Sequence, residues 1–246
     1  MSLRAQLESG RDVSVVMITL NEEGAIAKVV NDIRGTLPEA EIVVVDSSKD
    51  RTAEIARSLN CVVVRQFPPE GYGRAMDKAL TTASKPIVCT LDCDDTYPVA
   101  ALKDMLLLMQ QGADLVSASR LQKRPAAMPF ANYLANRLFA WLAFVICNVQ
   151  STDVHTGMRA YSKELIKDFP YDPDGPALPV ELQVGPAACG WRCEEMFIDY
   201  RPRVGESKLD KIRSTIWTVK RLWRWRTACN SERKKVTEEH AAALRV

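Results

Sequence analysis

The sequence predicts an α/β fold built on a mostly parallel sheet with helices on both faces. Between Val13 and Ser117, short β-branched runs alternate with segments of helical apolar spacing. The runs are apolar at nearly every position rather than at every second one, which marks strands buried on both faces, the habit of parallel sheets with helical crossovers. Acidic residues and glycines gather just after the runs, and in open sheets of this kind ligands bind beyond the carboxyl ends of the strands.

Taken in order, VSVVMIT, EIVVVD, CVVVRQ, PIVCTLD and ADLVSA read as strands. The stretches Glu22–Gly35, Thr52–Leu59, Gly73–Ala83 and Pro98–Gln111 read as the helices between them, from apolar spacing or a capping residue at the start. After Arg120 the alternation stops. A proline-containing link, Arg124 to Pro129, leads to an apolar helix-like stretch, Phe130–Val149, and then to a polar loop, Ser151–Arg159. A Pro- and Gly-rich segment, Phe169–Pro179, a strand-like Cys193–Tyr200, an amphipathic Lys211–Arg226 and a charged tail complete the chain.

The 246 residues carry 33 Lys plus Arg against 31 Asp plus Glu, so a net charge of +2 supplies no general field for nucleic acid. Seven cysteines without a disulfide-scaffold spacing fit reduced thiols in a cytosolic compartment. The pairs Cys89/Cys93 and Cys189/Cys193 have a C-x3-C spacing. The first pair sits in and just after an apolar run, where small thiols are buried rather than metal-bound. No apolar run reaches the ~20 residues of a spanning helix. The most apolar, Leu138 to Cys147, reads as a buried or interfacial helix. Met1 to Asp12 is polar, without a signal-peptide pattern.

The strongest chemical signal is Thr90-Leu91-Asp92-Cys93-Asp94-Asp95 at the end of the fourth run. Residues two apart in an extended chain point the same way, so Asp92 and Asp94 can converge on one hard divalent cation, Mg2+ or Mn2+, which would bridge to a diphosphate. The rival is a solvated acidic turn. Asp46-Ser47-Ser48-Lys49-Asp50-Arg51-Thr52 follows the second run and offers acids to a nucleoside, or simply caps the next helix. The segment from Pro68 to Ala75 holds Gly71, Gly73 and Arg74 at a helix start, a turn in which backbone can approach phosphate. It lacks the third glycine of a dinucleotide fingerprint.

Together these elements resemble the family 2 glycosyltransferases of GT-A fold, and within them the dolichol-phosphate and polyprenyl-phosphate sugar synthases. Asn21-Glu22 matches the N-E pair after the first strand, Asp46, Ser48, Asp50 and Thr52 the D-x-S-x-D-x-T element, Gly71 or Gly73 with Ala75 the G-x-x-x-A helix start, and Asp92-Cys93-Asp94 the D-A-D motif. Ser119-Arg120 looks like the S-R element, Asp153 with Thr156 to Tyr161 like D-x-x-S-G-F-R-x-Y, and Arg203 to Leu209 like R-x-G-x-S-K-L. The chain departs from the pattern at Ser47, where D or N is usual, and at Thr19-Leu20, which replace a proline and a tyrosine.

The resemblance implies an inverting hexosyltransferase over residues 1–226, with a nucleotide-sugar half at 13–120, an acceptor half at 121–209, an interfacial helix at 210–226 and a tail at 227–246. Thr19, Leu20, Asn21, Glu22, Asp46, Ser48, Gly73, Arg74, Asp92 and Cys93 would bind the nucleotide-diphosphate sugar, GDP-mannose or UDP-glucose, with the metal on Asp92 and Asp94. Arg120, Asp153, Gly157, Arg159, Glu181 and Ser207 would face the acceptor. A polyprenyl phosphate is already an anion, so Arg120, Arg203 and Lys208 would orient it for in-line attack while metal on Asp94 stabilises the leaving group. A hydroxyl acceptor would instead need a carboxylate base, Glu181 or Asp153. That soluble transferase is one alternative, and an inactive GT-A-like membrane scaffold is another.

Leu134, Leu138, Trp141, Leu142 and Val145 repeat at helical spacing, as core or as interfacial face. On 211–226, Ile212, Ile216, Val219 and Trp223 share one side, with Lys211, Lys220, Arg221, Arg224 and Arg226 as cations and Trp217, Trp223 and Trp225 as interfacial aromatics. The expectation is a peripheral enzyme on the cytoplasmic face of a membrane.

Overall fold

The computed structural model describes residues 9–202 and 212–226, so Arg203, Ser207, Lys208 and the tail at 227–246 lie outside the described residues. Seven strands form one sheet in the order β3-β2-β1-β4-β6-β5-β7. They are β1 Val13–Thr19, β2 Glu41–Asp46, β3 Val62–Arg65, β4 Ile87–Thr90, β5 Leu115–Ser119, β6 Arg159–Ser162 and β7 Cys193–Phe197. Every pairing is parallel except those of β6, which runs antiparallel between β4 and β5 with Arg159 opposite Thr90 on one side and Ser117 on the other.

The helices are α1 Ile26–Thr36, α2 Thr52–Ser58, α3 Tyr72–Thr82, α4 Leu102–Gln110, α5 Phe130–Cys147, α6 Lys163–Asp168 and α7 Leu178–Ala188, followed by α8 over residues 212–226. Side chains alternate across the strands, and each face buries its own layer. Val13, Val15, Met17, Ile42 and Val44 meet Ile26, Val29 and Ile33 of α1 and Leu102, Met105 and Leu106 of α4. On the other face Val16, Val43, Val45 and Val88 meet Met76, Ala79 and Leu80 of α3, then α7, and finally Leu222 and Trp225 of α8.

The parallel strands and the first four helices fall where the apolar runs place them, within a few residues. The second half holds what the pattern missed. β6 is four residues long, begins with arginine and lay hidden at the end of a polar stretch. α7 is buried on nearly all sides, from Leu178 to Ala188, so it shows no helical stripe, and Pro179 and Pro186 disguise it further. The C-x3-C cysteines are free thiols, burial raises Cys89 and Cys193 to about 12, and among the described residues no third metal-binding side chain joins either pair as a zinc site requires.

α5 and α8 are stitched together through the loop before β6. His155 Nε2 lies 3.0 Å from Thr218 Oγ1 of α8, its ring meets Phe139 of α5 edge-on at 5.1 Å, and Cys147 Sγ donates to Leu222 O at 3.3 Å. Burial pushes the His155 imidazole down to about 4, and its Nδ1 has no partner among the described residues. Between the unperturbed value near 6.5 and about 4 the unfolded chain takes up a proton that the folded one refuses, so stability falls with pH across that window. In urea titrations the wild type is expected to lose on the order of 2–3 kcal/mol more than His155→Gln over the same interval.

Candidate active site

The loops after β1 and β2 are one hydrogen-bonded unit. Thr19 Oγ1 donates to Asp46 Oδ1 at 2.7 Å, Asn21 N to Ser48 Oγ at 2.7 Å, Lys49 N to Asn21 Oδ1 at 2.8 Å and Glu22 N to Thr52 Oγ1 at 2.9 Å. The parallel pairing of β1 with β2 brings these elements together, so each satisfies the polar backbone of the other. Asp46 is consequently an anchor. It is fully buried, and Thr19, the Ser48 hydroxyl and amide, and Arg65 of β3 all bond to its carboxylate. The expectation that Asp46 contacts a nucleoside is corrected on this ground: its lone pairs are already taken. Beside this unit lies a cleft of about 490 Å³ lined by Ser48, Lys49, Arg65 and Phe67, and Phe67 stands exposed at its rim.

Asp92, Asp94 and Asp95 follow β4 at the carboxyl edge, and their environments differ. Asp95 sits at φ +60° and is paired with Lys28 of α1 at 2.8 Å, with Arg201 at 3.7 Å. Asp94 is almost fully buried, with Oδ1 accepting from the Thr96 amide at 3.1 Å and hydroxyl at 2.6 Å. Asp92 is partly exposed and lies against Gly157, where an added Cβ would stand 2.9 Å from both carboxylate oxygens. Glycine is needed there for close approach. Among the described residues no three side chains form a closed metal cage, so a cation on Asp92 and Asp94 would draw its remaining oxygens from diphosphate and water, as Mg2+ and Mn2+ commonly do. Cys93 turns the other way, into the core with Leu91 and Tyr97, and burial keeps its thiol protonated, so it does not line the site as expected.

The antiparallel course of β6 returns the preceding loop to the same edge. There Asp153 takes a bidentate fork from Arg120, Nε at 2.6 Å and Nη2 at 2.9 Å. Burial alone would raise the Asp153 carboxyl, but Arg120 outweighs it and holds it low. Arg120 lies over the Tyr200 ring at 5.3 Å, and Tyr97, which packs against Tyr200, accepts from the Gly157 amide at 2.6 Å. Glu195 of β7 secures the loop by accepting from Ser151 and Thr152, both just before Asp153. The fork engages Nε and Nη2, and the Arg120 side chain remains 11% exposed.

Three further expectations are corrected. Arg159 is 2% exposed and braces the interior, donating to Gln183 Oε1 at 3.1 Å and Val154 O at 3.0 Å, so it does not face an acceptor. Glu181 is fully buried against Arg221, 2.8 Å away, and Arg224. Gly73 lies under the backbone of Pro173 and Gly175 rather than open to phosphate, and Arg74 is turned to Asp174 at 2.8 Å. The open glycine is Gly71, at φ +101° with nothing within 4 Å of an added Cβ. Next to it, burial and then the negative charge of Asp92 raise the Tyr72 phenol. Sequence reasoning passed over Tyr72, Tyr97, Lys28 and Arg65. G-Y-G was the available hint for the first, but nothing local marks a tyrosine or lysine that acts through tertiary contact.

An acidic motif at the carboxyl edge of this sheet, faced by a glycine and an arginine fork, defines a transferase of the GT-A, nucleotide-diphospho-sugar type. Residues 14–169 match the family model for glycosyl transferase family 2, and the chain belongs to that family. A dolichyl-phosphate hexose transferase of Haloferax volcanii is 44% identical over 200 residues, covering 81% of this chain and 87% of the relative. The low-salt glycan biosynthesis hexosyltransferase Agl6 of the same organism is 32% identical over 218 residues, covering 85% of this chain and 52% of that longer protein. Among solved structures, glucosyl-3-phosphoglycerate synthase from Mycobacterium tuberculosis in complex with Mn2+, UDP-glucose and phosphoglyceric acid shares the fold, with a TM-score of 0.69 at 23% identity, covering 92% of this chain and 84% of that one.

Gly157→Ala should displace Asp92 without unfolding the domain. Calorimetric titration with UDP or GDP and Mn2+ is expected to show affinity weakened about tenfold or more, close to the effect of Asp94→Asn. Asp153→Asn, by contrast, strands the Arg120 charge and should cost about 3–5 kcal/mol in urea unfolding.

Proposed function

We propose that this chain transfers a hexose, with inversion, from a nucleotide-diphosphate sugar to a polyprenyl phosphate while lying on a membrane surface. The observation that carries the reading is an apolar face beside the Arg120 loop. Of fourteen exposed large apolar side chains among the described residues, six are on α5 (Phe130, Leu134, Leu138, Trp141, Phe144, Val145) and four on α8 (Ile212, Ile216, Val219, Trp223). A soluble surface rarely concentrates such side chains on two adjoining helices. α5 has the length and composition of a spanning helix, 18 residues at a mean hydropathy of 1.4. Yet Ala140, Ala143 and Cys147 pack into the protein, which favours a helix lying in the interface. Arg213, Lys220 and Arg226 of α8 suit anionic headgroups.

Between α5 and the loop at 150–152 a cleft of about 480 Å³ is lined by Arg137, Trp141, Phe144, Thr152 and Glu195, and Thr152 directly precedes Asp153 in the chain. An isoprenoid chain could lie against the aromatic wall with its phosphate toward Arg120. The chemistry agrees. Both carboxylates that could have served as general bases, Asp153 and Glu181, are engaged by arginines, which suits an acceptor that is already an anion. The name of the Haloferax relative points to the same acceptor class. For the donor we favour GDP-mannose or UDP-glucose. Asp92 and Asp94 would hold the Mg2+ or Mn2+, which when bound neutralises charge on the departing diphosphate. Arg120, with Arg203 and Lys208, would orient the acceptor phosphate.

Incubation with labelled nucleotide sugar, Mn2+ and polyprenyl phosphate in anionic vesicles should move label into the chloroform phase, and the Trp141→Glu/Trp223→Glu variant should lose both vesicle flotation and most of that transfer. Label appearing only in water-soluble product would remove the lipid acceptor from the reading.

A further inference from the structure

Arg221 occupies the face of α8 turned into the protein and is 3% exposed. Its Nη1 donates to Asp172 Oδ2 at 2.7 Å, and its Nη2 to the carbonyls of Asp172 at 3.0 Å and Asp174 at 2.6 Å. Nε lies 2.8 Å from Glu181 Oε2, a contact of charges rather than an aligned hydrogen bond. One turn earlier, Trp217 covers Gly175, where an added Cβ would fall 2.6 Å from the indole. α8 therefore grips one side of the segment from Asp172 to Gly175.

The other side of that segment rests on α3. A Cβ on Gly73 would stand 2.1 Å from Pro173 O and 2.5 Å from Gly175 O. Asp174 accepts from Arg74 Nε at 2.8 Å, and the Tyr171 hydroxyl donates to Asp77 Oδ1 at 2.8 Å. A single thickness of backbone thus separates α8 from the first turn of α3, which begins at the open Gly71 just after β3, on the same carboxyl edge of the sheet as the Asp92 motif after β4.

We propose that Arg221 is a positioning residue for nucleotide-sugar binding: by holding the Asp172–Gly175 strap down on Gly73, it fixes the first turn of α3 against the Asp92 motif. The inference rests on the donor reading given above. Packing alone does not call for arginine here, since an apolar side chain of similar volume would avoid the desolvation of a buried ion pair. What arginine adds is a rigid fork of donors that meets a carboxylate and two carbonyls at once.

The test uses the full chain and three proteins: wild type, Arg221→Met, and Arg221→Met with Glu181→Gln. Each is titrated calorimetrically with UDP and with GDP in the presence of Mn2+, and each is melted. Arg221→Met is expected to melt lower and to bind the nucleoside diphosphate about tenfold more weakly or worse, with KM for polyprenyl phosphate unchanged. The double variant leaves no uncompensated buried carboxylate, so its melting point should recover in large part while its nucleotide affinity stays weak. Affinity within about twofold of wild type in Arg221→Met, or affinity that returns together with the melting point, would overturn the proposal. Failure of the wild type to bind either diphosphate would instead sink the donor reading, and this inference with it, before any variant is compared.

Discussion

The site depends on one reversal of chain direction. Parallel strands deliver only their carboxyl ends to the binding edge, so β1, β2, β4 and β5 bring Thr19, Asp46, the Asp92 motif and Arg120 there. β6 enters antiparallel between β4 and β5, and this alone returns the segment from Ser151 to Gly157 to the same edge. Gly157 can then press against Asp92, and Asp153 can take the fork of Arg120. With a parallel strand in that slot, the loop would sit at the far end of the sheet and the two halves would share no site.

The reversal also organises charge. The region is crowded with carboxylates, and a buried carboxylate without a partner is costly. Each is given a different partner: Arg65 and hydroxyls for Asp46, Lys28 and Arg201 for Asp95, Arg120 for Asp153, and Arg221 with Arg224 for Glu181. Asp92 and Asp95 both stay partly open to solvent, and Asp92 lies against bare backbone at Gly157. Much of the acidic appearance of the sequence thus resolves into structural ion pairs.

This explains what could be read from the chain alone. Apolar runs placed the parallel strands because burial on both faces leaves a pattern in composition. The acidic elements were found for a related reason, since strand ends are where polar residues interrupt those runs. Roles within the site were harder to see. Asp46, Glu181 and Arg159 belong to residue types that serve as ligands or as internal braces, and the choice is made by partners distant in sequence: Arg65 for Asp46, Arg221 for Glu181, Gln183 for Arg159. β6 and α7 escaped because four residues starting with arginine, and a helix buried on nearly every side, present no period to detect.

α8 shows how far a period goes and where it stops. Spacing alone grouped Ile212, Ile216, Val219 and Trp223 on one side, and they do share a side, but it is the side turned away from the protein, with exposures from 46% to 76%. The inward face instead carries Arg221, Thr218 and Trp225, all buried. Trp217, read as an interfacial aromatic, covers Gly175, and Trp225 stacks on Phe169 at 4.8 Å. A helix on a soluble protein does the opposite, burying its aliphatic stripe and leaving charge in water. Here the inward face is satisfied by ion pairs, Leu222 and aromatic packing, and the aliphatic face, left outside on a helix that meets α5 at Cys147, gains its hydrophobic stabilisation only where the surroundings are themselves apolar. That inversion is what the membrane-surface reading proposed above would require of this side of the molecule.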